Sequence, residues 1–332
     1  MPMSTTTVGG PRETGPRGTG SHRTGTHRTG PRRAGSRGAG GDRGKRWHRS
    51  LQGVSFVLPN FLGFGLLTLG PVVALFYLSF TNWNVFGTAR WVGLDNFTRL
   101  ARDASFHRAL LNTLYYSALH IPLTLALSLA LALLLDRGLR GAAFFRTAAF
   151  FPYVTSIVAI AIAWNLLFSK DAGPVNQVLG LFGVDDPPGW TASSDWAMPA
   201  VILVGVWREM GYYMLLFLAG LQTVPPELHE AARIDGAGAW QRFRNVTLPC
   251  LRPTTFFVTV MLTIGSFKVF DLILVMTNGG PGQSTLVLSQ YIYQKGLVEN
   301  RFGYASAVSV VLFGLCMAVT AVQFAVNRRR ED

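Results

Sequence analysis

Long apolar stretches alternate with polar segments along most of this chain. The apolar stretches cover residues 54–80, 109–135, 143–168, 197–222, 254–276 and 305–326. Each reaches or exceeds the ~20 residues with which an α-helix crosses a bilayer. The pattern therefore predicts an all-α membrane protein with six transmembrane helices, in a domain that covers residues 50–327.

The first apolar stretch is longer than the apolar core of a signal peptide. No small-residue cleavage site follows it at residues 79–82. We therefore expect an uncleaved first span. Because the number of spans is even, both termini are expected on the same side of the membrane.

Residues 1–49 form a tail rich in arginine, glycine and threonine, with very few apolar side chains. Such a segment cannot bury enough apolar surface to offset chain entropy, so it is expected to be disordered. An RNA-binding arginine-glycine arm is one interpretation, but no aromatic residue accompanies the basic ones before Trp47. We favour a cytoplasmic tail that contacts anionic membrane lipid, with no nucleic acid as a partner.

Composition supports a membrane protein, and the positions of the charges predict its orientation. Hydrophobic residues make up 49% of the chain and charged residues only 14%, and the formal net charge is +13. Apart from the basic tail, arginines cluster in the second and fourth connections and after the last span: Arg137, Arg140, Arg146, Arg233, Arg242, Arg244, Arg252 and residues 328–330. The first connection departs from the pattern with Arg90, Arg99, Arg102 and Arg108. By the positive-inside rule, the sum places both termini, including the short tail 328–332, and the fourth connection in the cytoplasm.

The fourth connection, residues 225–249, has the pattern of a short helical hairpin. Pro226 suits the first position of a helix, and Leu228, Ala231 and Ala232 share one helical face. Gly236 is the expected end of this helix, because glycine adopts the left-handed conformation without strain. A second short helix fits residues 239–245, and Pro249 is expected to end it. A hairpin this short, held between two spans, predicts a docking element for another protein.

The hairpin sequence resembles the EAA loop in the permease subunits of binding-protein-dependent ABC importers. The similarity lies in Glu230-Ala231-Ala232, Asp235-Gly236-Ala237, Phe243 and Leu248-Pro249. In that family the loop is cytoplasmic and inserts into a cleft of the ATPase subunit. The resemblance therefore implies that Glu230, Ala231, Ala232, Asp235 and Gly236 couple this chain to a separate ATPase.

Other segments resemble the sugar-importing members of the same family. They are residues 92–97, 144–147, 207–212, 218–222 and 277–281, the last of which is typical of the maltose, lactose and glycerol-3-phosphate permease type. The resemblance implies a type I ABC importer permease fold in a bacterial inner membrane. It also implies a second permease subunit in a heterodimer, a dimer of ATPase subunits, an extracytoplasmic solute-binding protein and a sugar substrate.

The chain carries no pattern for its own catalysis. Residues 279–285 are glycine-rich, but Gln283 stands where a phosphate-binding loop needs lysine. His229-Glu230 begins like a zinc-protease helix, but Arg233 replaces the second histidine. Cys250 and Cys316 lie far apart, so neither a disulfide framework nor a metal site is indicated. We expect a transporter subunit, not an enzyme, without cofactor or metal.

Polar side chains inside the predicted spans are candidates for the substrate path, because ionisable groups there usually face a cavity or a partner. Arg208 and Glu209 are adjacent and point ~100° apart on a helix, so we do not expect them to neutralise each other side by side. Lys268 and Asp271 stand three residues apart and are expected to be able to pair on one helical face. Asn165 could hydrogen-bond to a sugar.

Alternatives to sugar import remain open at this stage. The same architecture could carry a polyol, glycerol phosphate or an oligopeptide. A secondary transporter would need no ATPase, a membrane enzyme would need catalytic residues, and a scaffold protein would leave the hairpin sequence unexplained.

Overall fold

A computed structural model describes residues 57–136, 138 and 140–329 of the chain. The predicted tail 1–49 lies outside the described residues, as do 330–332 of the predicted tail 328–332. The chain divides into two compact units, residues 1–61 and 62–332. The described residues of the first unit, 57–61, are helical.

The described residues confirm an all-helical protein, with a single isolated β-bridge between Thr81 and Trp91. The helices are α1 (Val57–Ser79), α2 (Asp95–Leu100), α3 (Ala104–Asp136), α4 (Ala142–Val154), α5 (Ile157–Leu167), α6 (Pro174–Leu181), α7 (Ala197–Leu221), α8 (Pro226–Ile234), α9 (Ala239–Cys250), α10 (Arg252–Phe267), α11 (Asp271–Met276), α12 (Leu288–Tyr293) and α13 (Phe302–Arg328).

The helices agree with four to six membrane spans. Helices α1, α3, α7 and α13 are long and apolar enough to cross a membrane alone. The pairs α4–α5 and α9–α10 meet the same criterion only as bent pairs, with bends of 99° and 67°. The described chain therefore has up to six spans when each bent pair counts as one, which agrees in number with the sequence. The pair α9–α10 covers residues 239–267 and is shifted from the predicted fifth span, 254–276.

Two of the predicted spans are broken where the sequence predicts continuous helices. The span at 143–168 bends where Thr155 adopts an extended conformation, with φ −75° and ψ 148°, three residues after Pro152. The span at 254–276 is interrupted at residues 268–270, between α10 and α11. Hydropathy reports only the length of an apolar stretch. It therefore cannot show where a helix is broken inside that stretch.

Helix α7 is the centre of the helical packing. It contacts α3 most extensively and also packs against α4, while α10 packs against α3 and α13. The contact between α7 and α4 is very close at Gly211, where an added Cβ would lie 1.8 Å from the carbonyl oxygen of Ala149. Only glycine allows the two backbones to approach to this distance.

Asp103, just before α3, connects α3 to α12 and α13. Its carboxylate accepts hydrogen bonds from the hydroxyl of Tyr291, from that of Tyr304 at 2.6 Å and from the backbone N–H groups of Ser105 and Phe106 at 2.9 and 3.3 Å. Burial alone would raise the pKa of Asp103, but these hydrogen bonds outweigh it and hold the pKa below its usual value. The carboxylate is therefore ionised in the folded protein at neutral pH.

We expect Asp103→Asn to lower the thermal unfolding temperature of the detergent-solubilised protein. A hydrogen bond to a charged group contributes about 1.5–3 kcal/mol, and the substitution weakens those from both tyrosines. A lowered folded-state pKa means that the stabilisation is complete above the pKa of the unfolded chain and is lost only as pH falls through the folded pKa. The difference from wild type should thus be constant between about pH 6 and 8.

Asp95→Asn is the matched control, because the Asp95 side chain is exposed in the first turn of α2. Equal unfolding temperatures for Asp103→Asn and wild type would contradict the assignment.

Candidate functional site

A polar cavity of ≈ 210 Å³ lies between α3, α7 and the break that separates α10 from α11. It is lined by four of the five residues that the sequence indicates for the substrate path, Arg208, Glu209, Lys268 and Asp271. Two different predicted spans supply these residues, so their proximity depends on the packing of α7 against the α10–α11 break.

Arg208 and Glu209 contact each other in the cavity wall. Arg208 Nη1 lies 3.6 Å from Glu209 Oε1, and both side chains are largely buried. The prediction that they do not neutralise each other is wrong, because the two long side chains bend together despite diverging at Cβ. The Arg208 guanidinium also lies 5.4 Å from the ring centre of Tyr153, which places it against α4.

Lys268 and Asp271 do not form the predicted pair. No ion pair joins them among the described residues, and both side chains are exposed to the cavity. The prediction assumed a continuous helix, but α10 ends at Phe267 and α11 begins at Asp271. The three irregular residues between them remove the i, i+3 geometry, and two opposite charges stay available to a ligand.

Asn165 does not line this cavity. Its Nδ2 donates hydrogen bonds to the carbonyl oxygens of Met276 at 3.1 Å and Val275 at 3.4 Å. These bonds connect α5 to the end of α11. Its position assigns it to helix packing, although its role in transport stays a prediction.

His120, a residue that the hydropathy pattern did not identify, is 1% exposed and lines the same cavity from α3. Its Nδ1 shares a hydrogen bond of 2.9 Å with Ser266 Oγ on α10, and its Nε2 lies 3.7 Å from Glu209 Oε2 on α7. Its ring stacks on Tyr116 at 4.9 Å between centres. An ionisable residue in a long apolar stretch is a signal that could have identified it.

The predicted hairpin is present as α8 and α9. Helix α8 ends in two backbone hydrogen bonds, from Gly236 N–H to the Arg233 carbonyl at 3.0 Å and from Ala237 N–H to the Ala232 carbonyl at 2.9 Å. This arrangement requires a left-handed residue, and Gly236 has φ +76°. The glycine therefore has the predicted role in the turn.

The second helix of the hairpin differs from its prediction. It continues through Pro249 to Cys250 instead of stopping before the proline, and Leu248 has helical angles of φ −64° and ψ −41°. A widened turn at Phe243–Thr247 precedes the proline. We attribute the continuation to this wider turn, which can accommodate a proline ring that an ordinary α-helical turn would exclude.

The hairpin presents a mixed polar and apolar surface without a partner among the described residues. Ile234 is 87% exposed and Trp240 is 69% exposed. Glu230 is also exposed and lines an open cavity of ≈ 750 Å³ between α8, α9 and the ends of α3 and α7. Large apolar side chains exposed next to polar ones are typical of a protein–protein contact.

Comparison with known proteins extends over most of the chain. The family described as binding-protein-dependent transport system inner membrane component matches residues 122–332. The diacetylchitobiose uptake system permease protein NgcF of Streptomyces coelicolor is 37% identical over 306 residues, which cover 87% of this chain and 86% of that protein. The lactose transport system permease protein LacF of Rhizobium radiobacter is 34% identical and covers 86% and 97%, respectively.

A solved structure has the same fold. A crystal structure of a bacterial ABC transporter for the acidic polysaccharide alginate contains a chain that matches with a TM-score of 0.77 and 26% identity. The match covers 87% of this chain and 99% of that one.

Proposed function

This chain belongs to the family of binding-protein-dependent transport system inner membrane components, and we propose that it passes a sugar or oligosaccharide across the membrane. As a member it is a multi-pass, non-catalytic permease subunit of an ABC importer, whose partners include an ATPase and an extracytoplasmic binding protein. The resemblance to the heterodimeric sugar importers adds a second, related permease to the proposed assembly.

The names of its relatives carry the proposal of a carbohydrate substrate. The diacetylchitobiose, lactose and arabinooligosaccharide permeases are 34–37% identical to this chain over 80% or more of its length. The cavity chemistry is compatible, since Glu209 and Asp271 can accept hydrogen bonds from sugar hydroxyls and Lys268 can donate them. An acidic sugar is the second candidate, because the Lys268 ammonium in the cavity forms no ion pair with the described residues and can bind a sugar carboxylate.

We further propose that the hairpin is the ATPase docking element and lies in the cytoplasm with both termini. The exposed Glu230, Ile234 and Trp240 supply a polar and an apolar contact on a turn fixed by Gly236. When ATP closes the ATPase dimer, the hairpin moves with it. The attached spans then rotate and switch the path between its inward- and outward-facing states.

The substrate proposal is tested by uptake into proteoliposomes that contain the complete transporter with its binding protein. The panel consists of neutral disaccharides and oligosaccharides, acidic sugars, glycerol phosphate and polyols. We expect ATP-dependent uptake of a sugar or oligosaccharide. Uptake of only glycerol phosphate or polyol would overturn the substrate class, and uptake that survives ATP depletion would overturn the mechanism.

Removal of the cavity lysine should weaken transport of the accepted sugar. We expect Lys268→Met to raise the apparent KM about tenfold, because one hydrogen bond from a charged donor is lost. Lys170→Met is the matched control, since Lys170 is exposed in the connection after α5, outside the cavity. An unchanged KM for Lys268→Met would exclude this lysine from substrate binding.

A further inference from the structure

A groove of ≈ 600 Å³ separates the α9–α10 junction from the last turns of α13. It is distinct from the polar cavity and from the cavity under the hairpin. Its walls come from Arg244, Leu248, Arg252, Thr255, Phe256 and Val322, with further residues of α10 and α13. The groove is open along one side and mainly apolar.

The polarity of the groove changes along its length. Arg244 and Arg252 stand at its hairpin end, and both are exposed. One turn further along α10, the wall changes to Thr255 and Phe256, and Thr259 follows another turn later. The wall therefore passes from charged to weakly polar and apolar within about two helical turns.

Several polar groups in the groove are unsatisfied. No carboxylate of the described residues lies within 4.0 Å of Arg244 or Arg252. Thr255 Oγ1, one turn from Arg252, is a buried atom without a hydrogen-bond partner in the described chain. Gln323 lies deeper in the groove, where its Nε2 donates a hydrogen bond to Thr263 Oγ1 at 2.6 Å. Buried polar atoms are rarely left unpaired in folded proteins, so Thr255 Oγ1 indicates a polar ligand group near the arginines.

We propose that this groove binds an anionic phospholipid. The phosphate pairs with Arg244 and Arg252, the polar part of the headgroup reaches Thr255, and an acyl chain lies along Phe256 and Val322. Arginine suits phosphate because its planar guanidinium donates two parallel hydrogen bonds. The inference rests on the proposed orientation, which places the arginines at the cytoplasmic leaflet, where anionic headgroups attract basic residues.

The lipid is preferred to a protein partner because of the charge and shape of the groove. A protein would need to present a carboxylate and a long apolar side chain at matching positions. Every phospholipid molecule, in contrast, carries a phosphate next to its acyl chains. Val322 is 62% exposed beside the groove, on a helix that crosses the membrane, so an acyl chain can reach it directly.

Native mass spectrometry of the purified transporter, after equilibration with vesicles of equal phosphatidylglycerol and phosphatidylethanolamine, tests the proposal. We expect the wild-type transporter to retain phosphatidylglycerol selectively, and the double variant Arg244→Gln/Arg252→Gln to retain about tenfold less. Arg140→Gln, an exposed arginine of the second connection, should retain the wild-type amount. Equal retention by the double variant, or no preference between the two lipids, would overturn the site.

A second variant keeps both arginines and fills the groove. Val322→Trp should reduce retention of phosphatidylglycerol while leaving the elution volume of the transporter unchanged. A disulfide between Val322→Cys and a cysteine introduced into the second permease would show instead that a protein covers the groove. Lipid retention is measured without transport, and Glu230→Lys should leave it unchanged, so failure of the lipid site is distinguishable from failure of the proposed function.

Discussion

Glu230→Lys should reduce ATP-dependent uptake by about 30-fold or more, while the protein remains inserted in the membrane. Glu230 is exposed on α8 and forms no ion pair with the described residues, so the substitution breaks no contact of that kind within this chain. In the proposed docking, the lysine at position 230 would face the ATPase group that binds the Glu230 carboxylate in the wild type. Reversal of a charge at a buried interface costs about 2–5 kcal/mol, which corresponds to this loss of uptake.

Glu227→Lys is the matched control for this prediction. Glu227 is exposed in the first turn of the same helix, so its reversal makes the same change in charge and costs about 0.3–1 kcal/mol through the helix dipole. We expect uptake within about twofold of wild type. The measurements are uptake, the amount of protein in the membrane and co-purification of the ATPase. Normal uptake by Glu230→Lys, or equal losses in both variants, would remove Glu230 from the docking.

Gly211→Ala should prevent stable packing of α7 against α4. The new Cβ would lie 1.8 Å from the carbonyl oxygen of Ala149 and 2.8 Å from the backbone nitrogen of Phe150. Both atoms belong to a helix backbone, so α4 must move as a unit to make room. We expect a loss of about 3–5 kcal/mol of stability and little folded protein in the membrane.

Gly314→Ala provides the control for Gly211→Ala. Gly314 lies in α13, and an added Cβ there would have no heavy atom within 4 Å. Alanine favours a helix over glycine by about 0.5–1 kcal/mol, so this variant should be as stable as wild type or slightly more stable. The readout is the yield of monodisperse detergent-solubilised protein and its unfolding temperature. Equal yields of the two variants would show that α4 and α7 do not pack as described.

The sequence predicted the elements whose signals are local. Six apolar stretches of sufficient length predicted the spans, and the spacing of Pro226, Ala231 and Gly236 predicted the α8 turn. The left-handed conformation of Gly236 is determined by its near neighbours, so the prediction did not depend on tertiary packing. The resemblance to the EAA loop then indicated what such a turn could do.

The breaks in the spans could not be predicted from hydropathy. The interruption at residues 268–270 leaves the total apolar length of the fifth stretch unchanged, yet it separates Lys268 from Asp271 and opens the cavity wall. The pairing of Arg208 with Glu209 depends on side-chain conformations that helix periodicity does not specify.

His120 was missed because its role depends on three helices that meet only in the fold. Gly205 on α7 makes this meeting possible: an added Cβ would lie 2.8 Å from the Tyr116 hydroxyl and 3.3 Å from the His120 ring. Neither Gly205 nor His120 has a neighbour in the sequence that reveals the contact. The position of His120 in an apolar stretch is a signal for a buried polar site, but only the structure shows which residues surround it.

Side-specific cysteine labelling tests most directly whether the hairpin lies where an ATPase can reach it. Ile234→Cys and Phe86→Cys, at positions 87% and 89% exposed, are each introduced with Cys250→Ser and Cys316→Ser. In spheroplasts, a membrane-impermeant maleimide should label Phe86→Cys but not Ile234→Cys, and in inverted vesicles from cells that lack the ATPase the result should reverse. Labelling of Ile234→Cys in intact spheroplasts would place the hairpin on the outer face and contradict the coupling mechanism.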